Sequence, residues 1–203
     1  MKPGLPLSRD WRSKLLFLLG LMLPLAWVIW SGASNRLGPD PAKALVDFFG
    51  LWAFHILLLC LAMTPLRLLT GKSFWIRYRR MLGLAAFFYA LLHICSYVLL
   101  LYGGGWAEVW GELLRRPYVV VGASAFLCLL PLALTSTRSW QRRLGRRWVM
   151  LHRLVYPGAL LVLLHFAWVK KLGFLAVWPY VLLLFVLLFV RLFAYLRNAS
   201  FKN

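Results

Sequence analysis

Acidic residues are almost missing from this chain: Asp10, Asp40, Asp47, Glu108 and Glu112 stand against 24 Lys and Arg. Charged residues of both signs fill only 14% of 203 positions, where a water-soluble domain carries roughly 25%. That shortage excludes an ordinary soluble fold, because too little of the surface could be clothed in charge. A net charge of +19 can mark a nucleic-acid binder, but such proteins spread basic residues over a solvated face. Here they fall in short clusters between long apolar runs, so no nucleic-acid partner is expected and the charge reads as a topology signal. Cysteine is scarce as well. Cys60, Cys95 and Cys128 are isolated in apolar runs without CxxC spacing, which excludes a disulfide framework and any zinc or iron–sulfur pattern. They read as buried apolar thiols.

What the chain has in quantity is apolar length: 63% hydrophobic residues and a mean hydropathy of +0.76. A hydrocarbon core of about 30 Å takes about 20 helical residues. Six runs qualify: Leu15 to Ser31, Phe48 to Leu66, Met81 to Tyr102, Tyr118 to Thr135, Val149 to Val169 and Phe174 to Tyr195. Alternating barrel patterning is absent, leaving helices as the spanning solution. The expected fold class is an all-α integral membrane protein, a six-transmembrane-helix bundle forming a single domain over residues 1–203.

With both termini cytoplasmic, the inner side holds eighteen basic residues, from Lys2 to Lys202, and one acid, or +17. The outer side holds Arg36, Lys43, Arg115, Arg116, Lys170 and Lys171 with four acids, or +2. The positive-inside rule therefore sets this orientation. Tryptophans agree: Trp11, Trp75, Trp140 and Trp148 fall at inner helix ends, and the other seven lie towards outer ends. A cleaved signal peptide competes for the first run, but its length, Pro24 and two tryptophans favour a retained span.

No Asp or Glu lies well inside a span, which excludes the carboxylate relays of proton-coupled carriers. No matching pair of Gly- or Pro-broken helices suggests an inverted-repeat carrier. Gly103, Gly104 and Gly105 lack the strand and helix of a dinucleotide site and read as a loop. The histidines are different. His55, His93, His152 and His165 all fall within spans, where an imidazole needs a partner. One such residue is as well explained by a helix-to-helix hydrogen bond. Four, without carboxylates for company, point towards metal or haem ligation.

His93 lies nine residues from the outer end of its span and His165 four, a depth difference of about 7 Å. The two are placed to sandwich one haem. His152 precedes His165 by 13 residues, about 20 Å along an ideal helix and about 140° around it, with Pro157 between them able to change that register. It is a candidate ligand for a second, inner haem. Span three carries Arg79 where an inner histidine would stand. Arginine is a poor iron ligand but suits a propionate, and Arg77, Arg80 and Arg153 lie at similar depth. His55 reads chiefly as a core hydrogen-bonder, with ligation as the alternative.

Five segments, GPDPAKALVDFFG (38–50), TPL (64–66), RRMLGLAAFFYALLHICSYVLL (79–100), RPYVVVG (116–122) and TSTRSWQRRLGRRWVMLHRLVYPGALLVLLHF (135–166), together resemble the ferric-reductase-like membrane domains. Within these they look like the haem-binding membrane subunits of bacterial periplasmic methionine sulfoxide reductase systems. The resemblance implies a six-helix b-type cytochrome of the inner membrane, carrying one or two haems. It would take electrons from the quinone pool and pass them to a periplasmic molybdopterin methionine sulfoxide reductase subunit, its heterodimer partner. It also implies that His93, His152 and His165 are the functional histidines, with His93 and His165 the axial pair, and that FMN is an associated cofactor. His55 falls outside the family's motif. In the related NADPH oxidases a second histidine stands below the first on span three; Arg79 takes its place here.

Eight residues follow Tyr195, too few for a Rossmann-like unit, so the electron donor is expected on another molecule. An acidic cytoplasmic flavoprotein docking on the basic face is one such donor. Two other readings stay open: a stand-alone ferric or metal reductase cytochrome, and a haem-free scaffold whose histidines only join helices.

Overall fold

The structure, a computed structural model, describes residues 7–169 and 174–200. Lys2, Lys170, Lys171 and Lys202, counted in the charge partition, lie outside the described residues. Within them the chain is helical, with no strand among the described residues. The order is α1 (Leu7–Ala33), α2 (Pro41–Thr70), α3 (Phe74–Ser96) closed by a π-helical turn (Tyr97–Leu101), α4 (Trp106–Arg115), α5 (Pro117–Leu134), α6 (Arg138–Leu144), α7 (Arg146–His152), α8 (Val155–Val169) and α9 (Phe174–Ser200).

Six stretches are long and apolar enough to cross a membrane: Trp11–Ala33, Pro41–Thr70, Phe74–Leu101, Pro117–Leu134, Arg146–Val169 and Leu175–Ala194. Each overlaps one expected run. The helices begin and end where local chemistry directs. Asp40 caps α2 by accepting from the Lys43 backbone N–H at 3.0 Å, and Pro41 follows at the first helical position. Gly71, at φ 68°, ends the same helix in the left-handed region that favours glycine. Pro117 opens α5 in the same way as Pro41 opens α2. Thr137 caps α6, accepting from the Trp140 N–H at 3.3 Å.

α2 is the most buried element and packs mainly on α3, while α5 packs mainly on α8. These two hairpins form the centre. α1 and α9 lie outside them, and α1 is tied in by the fully buried Tyr89, whose hydroxyl donates to the Leu21 carbonyl at 2.8 Å. Most of the large exposed hydrophobics lie on the spans, as expected where lipid is the solvent; Trp106, Trp110 and Leu114 on α4 and Trp140 on α6 are exposed outside them.

Two features depart from the expectation. The fifth span is not one straight helix: α7 stops at His152, Arg153 and Leu154 form a turn, and α8 restarts at Val155 with Pro157 in its first turn. Proline lacks the N–H that a continuous helix would need. Cys60 is buried as expected, its thiol donating to the Arg79 carbonyl at 3.3 Å, but Cys95 is exposed on α3 and Cys128 is intermediate. A thiol facing lipid gains little from further burial, so an apolar run in a membrane does not imply a protein interior.

Candidate functional site

His93 leaves α3 three residues before Ser96, and His165 leaves α8 four residues before Val169. The structure brings them together, with ring centroids 6.1 Å apart and ring planes at 78°. Past His93, α3 runs on into the π turn Tyr97–Leu101. Such turns recur near functional sites.

Each ring is held from behind. His93 Nδ1 donates to the Val46 carbonyl of α2 at 2.8 Å, and His165 Nδ1 donates to the Tyr118 carbonyl of α5 at 2.7 Å. A carbonyl can only accept, so Nδ1 carries the proton in both neutral rings and Nε2 keeps its lone pair. That is the supporting bond a metal-bound histidine ordinarily makes. Tyr118 is fixed in turn by Arg116, whose guanidinium donates to its hydroxyl at 2.8 Å and pairs with Glu112. Arg116 lies outside the spans, and the Tyr118 hydroxyl and the Glu112 carboxylate raise its pKa above the ordinary arginine value.

The spacing tests whether an iron fits. With a metal–imidazole bond of ~2.0 Å and ~1.1 Å from nitrogen to ring centre, two imidazoles that held one metal from opposite sides would stand with ring centres ~6.2 Å apart. The 6.1 Å between the His93 and His165 rings leaves room for such a metal. No group of three or more His, Cys, Asp or Glu is gathered anywhere among the described residues. The donor set is therefore two neutral imidazoles, which suits an iron already held by four macrocycle nitrogens rather than a bare cation.

His152 lies elsewhere, at the end of the bundle where the basic residues gather. Its Nδ1 donates to the Trp148 carbonyl one turn back at 3.1 Å, and its ring stacks on Trp148 at 3.8 Å. Trp148 is pinned by donating to the Thr135 carbonyl at 2.9 Å. His152 lines a cavity of about 1210 Å³ together with Arg79, Arg80, Arg138, Arg153 and Arg191. No acidic residue lines it among the described residues. Arg77 is exposed and is not part of that lining. No second histidine reaches the cavity, because α3 brings Arg79 there instead.

His55 is apart from both groups. Its Nε2 is 2.9 Å from the Tyr180 hydroxyl on α9, and the two rings stack at 12°. The sequence reading missed three participants. The carbonyls of Val46 and Tyr118 leave no mark in side-chain chemistry. Arg191, on α9, donates to the Tyr156 hydroxyl at 3.1 Å and the Leu61 carbonyl at 2.5 Å, while its buried Nε has no hydrogen-bond partner. A lone arginine inside the sixth apolar run was the signal for it.

The family described as "Ferric reductase like transmembrane component" matches residues 49–163, which is 115 of 203 positions and contains both imidazoles' helices up to Leu163. The chain belongs to that family. Among individual proteins this family member is similar to the "Protein-methionine-sulfoxide reductase heme-binding subunit MsrQ" of three Xanthomonas species. Identity is 52% over 145 residues for Xanthomonas euvesicatoria pv. vesicatoria (strain 85-10), covering 71% of this chain and 66% of the relative. It is 50% over 145 residues, with the same coverage, for Xanthomonas oryzae pv. oryzae (strain MAFF 311018). It is 49% over 150 residues for Xanthomonas campestris pv. campestris (strain 8004), covering 72% and 69%. The chain thus spans about two thirds of the length of the curated relatives it matches.

Proposed function

We propose that this protein is a haem b electron-transfer subunit of the bacterial inner membrane, both termini cytoplasmic, that takes electrons from the quinone pool and delivers them to a periplasmic molybdopterin methionine sulfoxide reductase. The observation that carries the reading is the imidazole pair: two rings from different helices, each with Nδ1 tied back and Nε2 left as a ligand. Relatives named as haem-binding subunits of a methionine sulfoxide reductase support the cofactor and the class of acceptor. The quinone donor, the molybdopterin and an associated FMN rest on the family resemblance alone, and no residue identifies a flavin position.

A bound haem supplies a reversible one-electron carrier. The chain's own part is to hold it. His93 and His165 fix it from opposite hairpins, and the carbonyls of Val46 and Tyr118 keep both rings in one tautomer. In the basic cavity, His152 is the proposed ligand of a second haem; Arg79, Arg80 and Arg153 would serve its propionates, and Arg138 and Arg191 add two more guanidinium groups to the lining. Arg77 stands outside this group. The same basic end suits docking of an acidic cytoplasmic flavoprotein, and donor-dependent reduction that slows as salt rises is the expected sign of it.

Haem-to-protein ratio with redox titration, on the wild type and on each histidine variant, tests the reading. A pigmented protein with two haems that falls to one in His152→Ala is expected. A colourless wild type after haem-sufficient expression would sink the proposal, and a single haem unaffected by His152→Ala would remove that residue as a ligand. His55→Phe is expected to keep its full haem and to lose only the Tyr180 hydrogen bond, about 1 kcal/mol of stability. Reduction of ferric chelates by the isolated protein would favour a stand-alone metal reductase, the activity that the family's description names.

A further inference from the structure

The two supported imidazoles are copies of one device. His93 bonds a carbonyl 47 positions earlier, and His165 bonds a carbonyl 47 positions earlier. A shift of 72 residues therefore carries Val46 onto Tyr118 and His93 onto His165. The same shift carries Gly50 onto Gly122, Ala53-Phe54 onto Ala125-Phe126, Leu57-Leu58 onto Leu129-Leu130, and Leu91-Leu92-His93 onto Leu163-Leu164-His165. The hairpin of α2 and α3 and the hairpin of α5 and α8 thus share a register.

Gly50 and Gly122 sit one helical turn after the carbonyls that the rings bond. A Cβ on Gly50 would lie 2.8 Å from His93 Nδ1 and 3.0 Å from its Cε1. A Cβ on Gly122 would lie 2.8 Å from both Nδ1 and Cε1 of His165. Neither glycine has a positive φ, so neither is there for backbone freedom. Helix interiors disfavour glycine relative to alanine, and both hairpins bear that cost at the position where the ring passes.

We propose that Gly50 and Gly122 are positioning residues: each clears the helix surface so that an imidazole can lie flat against it, donate Nδ1–H to the preceding turn's carbonyl, and present Nε2 to the haem. The inference rests on the proposed haem ligation by His93 and His165. Alanine at either site pushes the ring off its carbonyl. Losing that bond makes the imidazole a weaker donor to iron, which favours the reduced state and loosens the haem.

The test uses the full chain with Gly50→Ala, Gly122→Ala and, as a control, Gly20→Ala, whose added Cβ meets nothing within 4 Å. Each is titrated for haem affinity and midpoint potential, and ¹⁵N-histidine NMR reads the tautomer of His93 and His165. Both cradle variants are expected to bind haem about 10–100-fold more weakly, to show a raised midpoint potential, and to lose the uniform Nδ1–H tautomer. The control should match the wild type in all three. Unchanged affinity, potential and tautomer in both cradle variants would overturn the inference. So would failure of both to accumulate in haem-deficient cells where the wild type accumulates, since that outcome marks ordinary packing glycines. Absence of haem from the wild type would instead defeat the haem reading, and the tautomer measurement would still decide the glycines.

Discussion

Replacing His93 or His165 with Ala is expected to strip most of the b-type absorbance from the purified protein. On the proposed ligation each ring would supply one side of a two-sided site, 6.1 Å from the other, and the space left by alanine offers no substitute, since no third His, Cys, Asp or Glu is gathered there among the described residues. The loss should exceed the ~10–100-fold that removal of a supporting partner costs. Haem-to-protein ratio on protein expressed with excess haem reads it. The two variants should fail alike, because the hairpins hold their rings by the same bond in the same register. Added imidazole should restore part of the spectrum in His93→Gly and His165→Gly. Retention of a full, dithionite-reducible Soret band in both alanine variants would show that these rings merely join helices.

Tyr89→Ala should be the most damaging change away from the imidazoles. The side chain is fully buried in α3, and its hydroxyl is the tie to the Leu21 carbonyl of the peripheral α1. In soluble cores a large-to-small change of this kind costs about 3–5 kcal/mol. The lower part of that range applies here, because lipid rather than water is the competing solvent. Tyr89→Phe keeps the volume and gives up one hydrogen bond, about 1 kcal/mol. Thermal unfolding in detergent should rank wild type, Phe and Ala in that order. Equal losses for Phe and Ala would assign the whole effect to the hydroxyl.

The bundle was legible in the sequence because a bilayer leaves few options: an apolar run of about 20 residues has to be helical, and six runs became six helical stretches of crossing length, the fifth broken by a turn. The short α4 was not foreseen, since Trp106–Arg115 interrupts no apolar run and sits in a connection. The site was half legible. Residue type singled out four histidines, and distance from the helix ends brought His93 and His165 near one another. What holds them was hidden, because a backbone carbonyl has no residue type and a glycine's role is visible only against its neighbour. The repeat that relates the hairpins is carried by few identities, and only the hydrogen bonds made the 72-residue shift apparent. Arg191 was counted with the inner charges, though its guanidinium turns into the bundle towards Tyr156 and Leu61.

The matched hairpins have an electrical consequence. Two rings, each backed by a carbonyl of an α-helix, would offer an iron held by them the same kind of donor from both hairpins. That donor set by itself would give current no preferred direction. Whether current runs one way or the other is then decided at the terminals, by the relative potentials of whatever reduces the protein and whatever oxidises it.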